Sequence, residues 1–175
     1  MPVQSTTRPA STEHSAYFER YISQVPDGDV LAFLESQGRD TVQLLRGVDE
    51  KRSEYRYAPG KWTVRGVVGH ITDSERVFAY RALSFARGDL TELPSFDENA
   101  WALGSNADQR SLRDLAAEFA AVRGATTAMF RGFSDADMTR SGVANKNAVS
   151  VRALAWIIAG HERHHVKMLR ERYGL

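Results

Sequence analysis

Apolar residues recur at the three- and four-residue spacing of an amphipathic helix in four long stretches of the chain. The second stretch, for example, places Val64, Val67 and Ile71 on one helical face. No stretch alternates apolar and polar residues convincingly in the manner of a β-strand. The predicted helices begin after the capping residues Asp29, Thr63, Ser111 and Ser150, and they end near Val48, Gly88, Gly132 and Tyr173. The pattern predicts an all-α fold, a four-helix bundle.

The connections between these helices differ in length. Residues 17–24 form a short helical turn before the first long helix, and residues 134–147 are a polar connection. The connection at 89–110, with one helical turn near Trp101, is longer than two neighbouring helices need. Because long connections can cross the end of a bundle, they allow a crossed rather than a strictly up-and-down topology.

The 175 residues suit a single domain that is large enough to bury its own core. Residues 1–14 are rich in serine and threonine and contain no apolar segment typical of a secretory signal. We therefore predict a flexible N-terminal arm at 1–14 and one bundle domain at 15–175. The longest apolar run, residues 153–159, is far shorter than the roughly 20 residues that span a bilayer, so we expect a cytoplasmic protein with no membrane partner.

The charge balance and the absence of cysteine exclude several classes of function. The chain has 23 Lys plus Arg and 22 Asp plus Glu, a net charge of +1 that gives no basic surface for nucleic acid. Without cysteine there is no disulfide, no thiolate zinc site and no thiol nucleophile within the chain. Any metal ion must be bound by nitrogen and oxygen atoms.

Two histidines of the last predicted helix point to such a metal ion. His161 and His165 are four residues apart, so they share one helical face, and this face is otherwise apolar. Two imidazoles in a core-facing stripe are costly without a polar partner. His70, on the flank of the second helix's stripe, is the natural third ligand. Three histidine ligands leave a coordination position open, as in catalytic sites.

Two alternatives remain beside this metal site. The histidines can be hydrogen-bonded core residues, which is the commoner role for a single histidine such as His70. The run His161–His165 also matches H-E-x-x-H, in which Glu162 would be the general base of a zinc protease. The protease is disfavoured because only ten residues follow the run and the third metzincin histidine is missing. Glu162 is then a carboxylate near the ligands or on the helix surface.

Three further side chains are candidates for the surroundings of the metal. His164 lies about sixty degrees from the shared face of its neighbours and is expected at the rim of the site or in solvent. Arg81 falls on the same flank as His70, where it can contact an anionic substrate or form a surface salt bridge. Trp62 can line a pocket or belong to the core.

Several short motifs, spread over nearly the whole chain, recur in one known family. In chain order they are Pro59-Gly60-Lys61-Trp62-Thr63, His70, Asp73, Glu75, Arg76 and His161-x-x-His164-His165. With these residues the chain resembles the DinB/YfiT-like superfamily. The resemblance implies an up-down-down-up bundle, frequently a homodimer, in which His70, His161 and His165 bind a divalent metal, nickel or zinc most often, with iron or manganese as further candidates.

The resemblance also limits the expected functions. The superfamily includes metal-dependent hydrolases and transferases or isomerases that use a low-molecular-weight thiol such as bacillithiol or mycothiol. For this chain we expect a metal-dependent enzyme acting on a small-molecule substrate, with water or an external thiol cosubstrate as nucleophile. The absence of an evident general base slightly favours the thiol. The alternative is a non-enzymatic metal-binding or stress-response bundle, in which Asp73 or Glu75 would close the site as a fourth ligand.

Overall fold

The computed structural model describes residues 6–175, in which helices predominate. The elements are α1 (Ala16–Ile22), α2 (Val30–Arg46), α3 (Glu50–Ser53), α4 (Val64–Ala86), α5 (Glu98–Gly104), α6 (Leu112–Arg131), α7 (Asp135–Thr139), β1 (Ser141–Ala144), β2 (Asn147–Ser150) and α8 (Val151–Tyr173). Short 3-10 turns cover Ser11–Glu13 and Ala107–Gln109. None of the helices in the described range is long and apolar enough to cross a bilayer.

The four long helices begin where the sequence predicted. Asp29, Thr63, Ser111 and Ser150 each accept a hydrogen bond from a backbone amide two or three residues later in the helix that follows. Such caps satisfy amide groups that have no partner within the helix, and each stabilises its helix by about 1 kcal/mol. These local hydrogen bonds explain why the helix starts are readable from sequence.

The four long helices form a bundle in which each packs mainly against two others. The main contacts are α2 with α6, α6 with α4, α4 with α8, and α8 with α2. Helices that follow one another along the chain, α2 and α4 or α6 and α8, therefore stand on the diagonals of the bundle. Long connections are needed to build this arrangement, in agreement with the crossed topology that their lengths allowed.

Contacts between helix ends give the directions. The end of α8 meets the start of α4, where the Tyr173 hydroxyl donates to the Trp62 carbonyl oxygen, so these two helices are antiparallel. Arg131 near the end of α6 pairs with Glu35 near the start of α2. Thr63, the cap of α4, contacts Asp108, which lies four residues before the start of α6, so α4 and α6 run in parallel. The order is up-down-down-up, as predicted.

A β-hairpin lies where a polar connection was expected. Strands β1 and β2 pair antiparallel, with Asn145 and Lys146 at the turn in left-handed conformations (φ 50° and 61°). Leu93 from the long α4–α6 connection pairs with Ala144 at the edge of this hairpin. The prediction of no strand was wrong because four-residue strands with few apolar residues carry no readable alternation. The two-residue turn containing asparagine was the available signal.

The N-terminal segment also differs from expectation. Residues 6–14 were assigned to a flexible arm, but they are packed on the bundle. The Arg8 guanidinium donates to the carbonyl oxygen of Ile22 (2.9 Å), and the Glu13 carboxylate pairs with Arg152 and accepts from Ser150. The segment contains these polar anchors but no apolar periodicity, so its sequence did not reveal them. The remaining residues of the predicted arm, 1–5, lie outside the described range.

The close approach of α1 to α8 depends on a glycine. A β-carbon at Gly160 would lie 2.1 Å from the backbone carbonyl oxygen of Tyr21. The carbonyl group of Tyr21 belongs to the backbone and cannot move aside as a side chain can. The variant Gly160→Ala is therefore expected to push α1 away from α8 and to lower the free energy of unfolding by about 1–3 kcal/mol. Urea denaturation measures this loss.

The matched control is Gly124→Ala on α6. No atom lies within 4 Å of the added methyl group there, and alanine favours a helix, so stability is expected to rise by about 0.5–1 kcal/mol. Unchanged stability of Gly160→Ala would contradict the close packing of α1 on α8.

Candidate metal centre

Three imidazoles from two antiparallel helices converge inside the bundle. His70 comes from α4, and His161 and His165 come from α8. One ring nitrogen of each lies within 4.8 Å of those of the others, and the Nε2 atoms of His70 and His161 are 3.1 Å apart. The ring centroids are separated by 4.9 Å, 4.7 Å and 4.6 Å. The structure thus brings together the three histidines that the sequence singled out.

The packing of α4 on α8 explains this convergence. The two helices contact each other, and around the histidines both bury apolar side chains, among them Val67 and Ile71 on α4 and Ile158 and Leu169 on α8. Val67, Ile158 and Leu169 lie one turn before or after an imidazole, and Ile71 directly follows His70. The stripe that buries the helices therefore also sets the histidines opposite one another.

Burial keeps all three imidazoles in the form that binds metal. They are 9%, 6% and 8% exposed. Burial, with a smaller effect of the nearby His164, lowers the pKa of His70 to about 4. Burial and the neighbouring imidazoles hold the pKa values of His161 and His165 well below the ordinary range. At neutral pH the three rings are uncharged and keep a lone pair available for a ligand bond.

The hydrogen bonding of the rings fits a metal ion as well. The Nδ1 atom of His165 is buried and has no hydrogen-bond partner in the described part of the chain. The Nε2 atoms of His70 and His161 lie 3.1 Å apart, so one ring can donate a hydrogen bond to the other, whereas the buried Nδ1 atom of His165 is left without a partner within residues 6–175, which is costly. Nitrogen-rich sets of this kind suit zinc and other divalent transition metals.

The depressed pKa values predict how stability depends on pH. In metal-free protein, as pH falls below about 6.5, the unfolded chain binds protons on these histidines while the folded chain does not. Stability is therefore lost on acidification, by about 2 kcal/mol for His70 between pH 6.5 and 5. Urea denaturation of EDTA-treated protein at the two pH values measures the loss. The His70→Gln variant should lose this share of the pH dependence, and an unchanged dependence would contradict the assignment.

The histidines lie beside a pocket of about 600 Å³, which His70 and His165 line directly. The Trp62 ring is 4.7 Å from the His70 ring, so Trp62 contributes to the wall. Other parts of the wall come from α1, from residues 95–98 and from the β-hairpin. The aromatic lining residues are Tyr17, Phe18, Tyr21, Trp62, Phe78 and Phe96. A small molecule in this pocket would reach two of the three imidazoles.

Comparison with known proteins identifies the family. A sequence profile of the DinB superfamily matches residues 34–169, a span that contains all three histidines. The chain belongs to the DinB superfamily. The solved structure of YfiT from Bacillus subtilis is described as that of a probable metal-dependent hydrolase with an unusual four-helix bundle topology. It aligns over 98% of this chain and 99% of its own, with a TM-score of 0.67 and 20% identity, which supports the shared fold. No curated protein sequence matches.

The DinB bundle of this chain carries a tyrosine at the site that the sequence analysis missed. Tyr21 of α1 is buried, and its ring is 5.4 Å from that of His161 and 5.5 Å from that of His164. Its hydroxyl accepts a hydrogen bond from Arg20. Burial raises the pKa of Tyr21 to about 12, so the phenol stays protonated and can donate a hydrogen bond at neutral pH. Tyr21 reaches the histidines because the short helix α1 docks on α8, and no local sequence pattern predicts this docking.

Two further candidates lie around the three histidines. His164 is half-buried beside Tyr21 and is not one of the three convergent rings. Arg81 is buried and lines the pocket, rather than forming the surface salt bridge that was the alternative. His14, by contrast, is buried next to Glu19 and is not among the three convergent rings.

Glu162 does not lie beside the three imidazoles, and the expectation of a helix-surface or site carboxylate is wrong. It is fully buried on another side of α8, where it pairs with Arg123 at 2.7 Å and accepts a hydrogen bond from Thr41 at 2.6 Å. The reason is the rotation of about one hundred degrees per residue, which turns Glu162 toward α2 and α6. Glu162 is therefore occupied by a structural ion pair and not available as a general base.

The two carboxylates considered as a fourth metal ligand are also occupied elsewhere. Glu75 accepts two hydrogen bonds from Arg123, at 2.9 Å and 2.8 Å. Asp73 pairs with Arg76 at the surface. In residues 6–175, the cluster that could hold a metal ion contains histidines and no carboxylate.

Proposed function

We propose that this protein is a metal-dependent enzyme that acts on a small molecule bound in the pocket next to His70, His161 and His165. The observation that carries the proposal is the convergence of three uncharged imidazoles, two of which, His70 and His165, line a 600 Å³ pocket. Three protein ligands at the edge of a pocket are typical of catalytic metal sites, whereas structural sites use four and are closed. The description of YfiT as a probable metal-dependent hydrolase agrees with this proposal.

The donor set suits nickel or zinc, with iron and manganese as further candidates. When bound, such an ion lowers the pKa of a water or thiol that it binds and polarises an electrophilic group. The chain supplies the rest of the site. Trp62 and Phe78 give the pocket apolar walls, and Tyr21, whose ring lies 5.4 Å from that of His161, has a protonated hydroxyl that can donate a hydrogen bond.

Within this proposal, an external thiol is favoured over water as the nucleophile. Hydrolysis needs a group that takes a proton from water, and the carboxylates nearest in sequence have other partners: Asp73 pairs with Arg76, and Glu75 and Glu162 pair with Arg123. A thiol loses its proton at much lower pH than water, so it needs less help from a base. Because the chain contains no cysteine, the thiol must be a cosubstrate. Hydrolysis, which the description of YfiT favours, is the second candidate.

The non-enzymatic alternative is disfavoured by the same geometry. A site that only stabilises the bundle would be closed by a fourth side chain, and both candidates for this, Asp73 and Glu75, have other partners. The pocket next to the histidines also has no evident purpose in a purely structural site.

The homodimer implied by the family resemblance stays a prediction, and light scattering of the purified protein would measure its oligomeric state.

The test is metal-dependent turnover. Protein treated with EDTA and then loaded with zinc or nickel is screened for conjugation of thiols to an electrophile such as 1-chloro-2,4-dinitrobenzene, and for hydrolysis of esters and amides. Turnover is expected in the loaded protein and not in the EDTA-treated one or in His161→Ala. Thiol-dependent turnover supports the transferase, and thiol-independent turnover supports the hydrolase. Failure of the wild-type protein to bind any of these metals, or turnover that persists without metal, would overturn the proposal.

A further inference from the structure

Arg81 is a buried cation inside the pocket. Arg81 is 6% exposed and lines the same pocket as His70 and His165. One of its five N–H groups donates to the carbonyl oxygen of Pro94 at 2.7 Å. Burial lowers the pKa of Arg81, but a guanidinium remains charged at neutral pH. A buried charge of this kind is costly unless an anion or several acceptors surround it.

The other buried arginines of the described chain show what is missing at Arg81. Three arginines are buried in residues 6–175, namely Arg65, Arg81 and Arg123. Arg65 pairs with Glu50 at 2.7 Å, and Arg123 pairs with Glu75 and Glu162. In this part of the chain no carboxylate forms an ion pair with Arg81. Among residues 6–175, the buried guanidinium groups outside the pocket are thus paired with carboxylates, and the one in the pocket is not.

Arg81 and the histidines lie at opposite ends of the pocket. Arg81 follows His70 by 11 residues in α4, which corresponds to about three turns on the same face and a rise of roughly 16 Å. Side chains of a helix lean toward its N-terminus, so the guanidinium extends back toward His70. The Phe78 ring lies between, 5.9 Å from the Arg81 Cζ atom and 5.8 Å from the His161 ring. The pocket therefore has a cation at one end, imidazoles at the other and an apolar wall between.

We propose that Arg81 binds a carboxylate of the substrate, at the end of the molecule opposite to the group that reaches the histidines. This inference rests on the proposed function and names a substrate class for it: monoanionic carboxylic acids with an apolar segment of several carbon atoms. The guanidinium fork matches the two oxygens of a carboxylate. The other charged residues of the lining, Arg20 and Glu98, are exposed and opposite in sign, so Arg81 provides the buried charge.

Binding to EDTA-treated protein tests this inference without the metal. The probe is 4-phenylbutyrate, with its uncharged amide as the matched ligand, titrated by NMR in carboxylate-free buffer. The acid is expected to bind at least tenfold more tightly than the amide. Arg81→Met should remove this preference, because it should weaken binding of the acid about tenfold and leave binding of the amide unchanged. Arg81→Lys should retain part of the preference for the acid. The control Arg87→Met, an exposed arginine at the end of the same helix and outside the pocket, should bind both ligands as the wild type does.

The outcomes separate this inference from the proposed function. Equal binding of acid and amide by the wild type, no binding of the acid, or acid binding that is unchanged in Arg81→Met would overturn the role of Arg81. Tighter binding of 3-phenylpropyl phosphate than of the acid would overturn the carboxylate assignment. Zinc content after loading reports on the metal site independently, and Arg81→Met should retain it, which also shows that the variant is folded. Failure of the wild type to bind zinc would overturn the proposed metal-dependent activity but not the role of Arg81 in binding the carboxylate.

Discussion

Replacing His161 by alanine is expected to abolish stoichiometric metal binding. His161 is the least exposed of the three histidines, its ring contacts both others, and its Nε2 atom lies 3.1 Å from that of His70. Without it, two imidazoles from different helices remain, and the loss of affinity should be at least about 100-fold, since changes outside the ligand set already cost up to that much. Elemental analysis after zinc loading and dialysis measures the metal content per chain.

The matched control is His164→Ala. This variant removes a neighbouring imidazole of the same helix that is not one of the convergent rings, so most of the metal should remain bound. Far-ultraviolet circular dichroism shows that both variants are folded. Undiminished metal content in His161→Ala, or equal loss in both variants, would contradict the assignment of the ligands.

Arg123→Met is expected to lower the free energy of unfolding by about 3–5 kcal/mol. The guanidinium is the cation between two carboxylates that are almost fully inaccessible, those of Glu75 at 2% and Glu162 at 0% exposure, and it also donates to the carbonyl oxygen of Leu34 at 2.9 Å. Methionine fills much of the same volume but leaves both carboxylates without their cation. Urea denaturation at neutral pH measures the loss.

Two comparisons show that the loss comes from uncompensated buried charge. Arg131→Met removes a guanidinium from the same helix, but its pair with Glu35 is exposed, so the expected loss is below about 1 kcal/mol. Adding Glu75→Gln and Glu162→Gln to Arg123→Met neutralises the stranded carboxylates and should restore most of the stability. A loss in Arg123→Met as small as that in Arg131→Met would refute the proposed importance of this network.

The Arg123 network also explains why the histidines and the glutamate of one motif have separate roles. Through Glu75, Glu162 and Thr41 it joins α4, α8 and α2 to α6. Because Glu162 is bound on this side of α8, the rotation of the helix is set and His161 turns toward His70 on α4. The sequence therefore matches a protease motif, but in the structure the glutamate of this motif fixes the helix that carries His161 and His165.

The features that the sequence determined by itself depend on short separations along the chain. A cap such as Ser150 acts on an amide three residues away, and the apolar stripe of α8 repeats within two turns. His161 and His165 face the same way because the helix repeats every 3.6 residues. For these reasons the four long helices and the pair of histidines could be predicted, and the family motifs placed His70 with them.

Only the tertiary structure decided which distant residues meet. Glu162 is a structural residue because Arg123, on another helix, reaches it, and Arg81 lies in the pocket because the 95–98 segment and the hairpin cover it. Residues 6–14 are packed through single polar contacts such as those of Arg8, and Tyr21 reaches His161 because Gly160 lets α1 approach. Such contacts depend on how the helices dock, and docking leaves no periodic pattern in the local sequence.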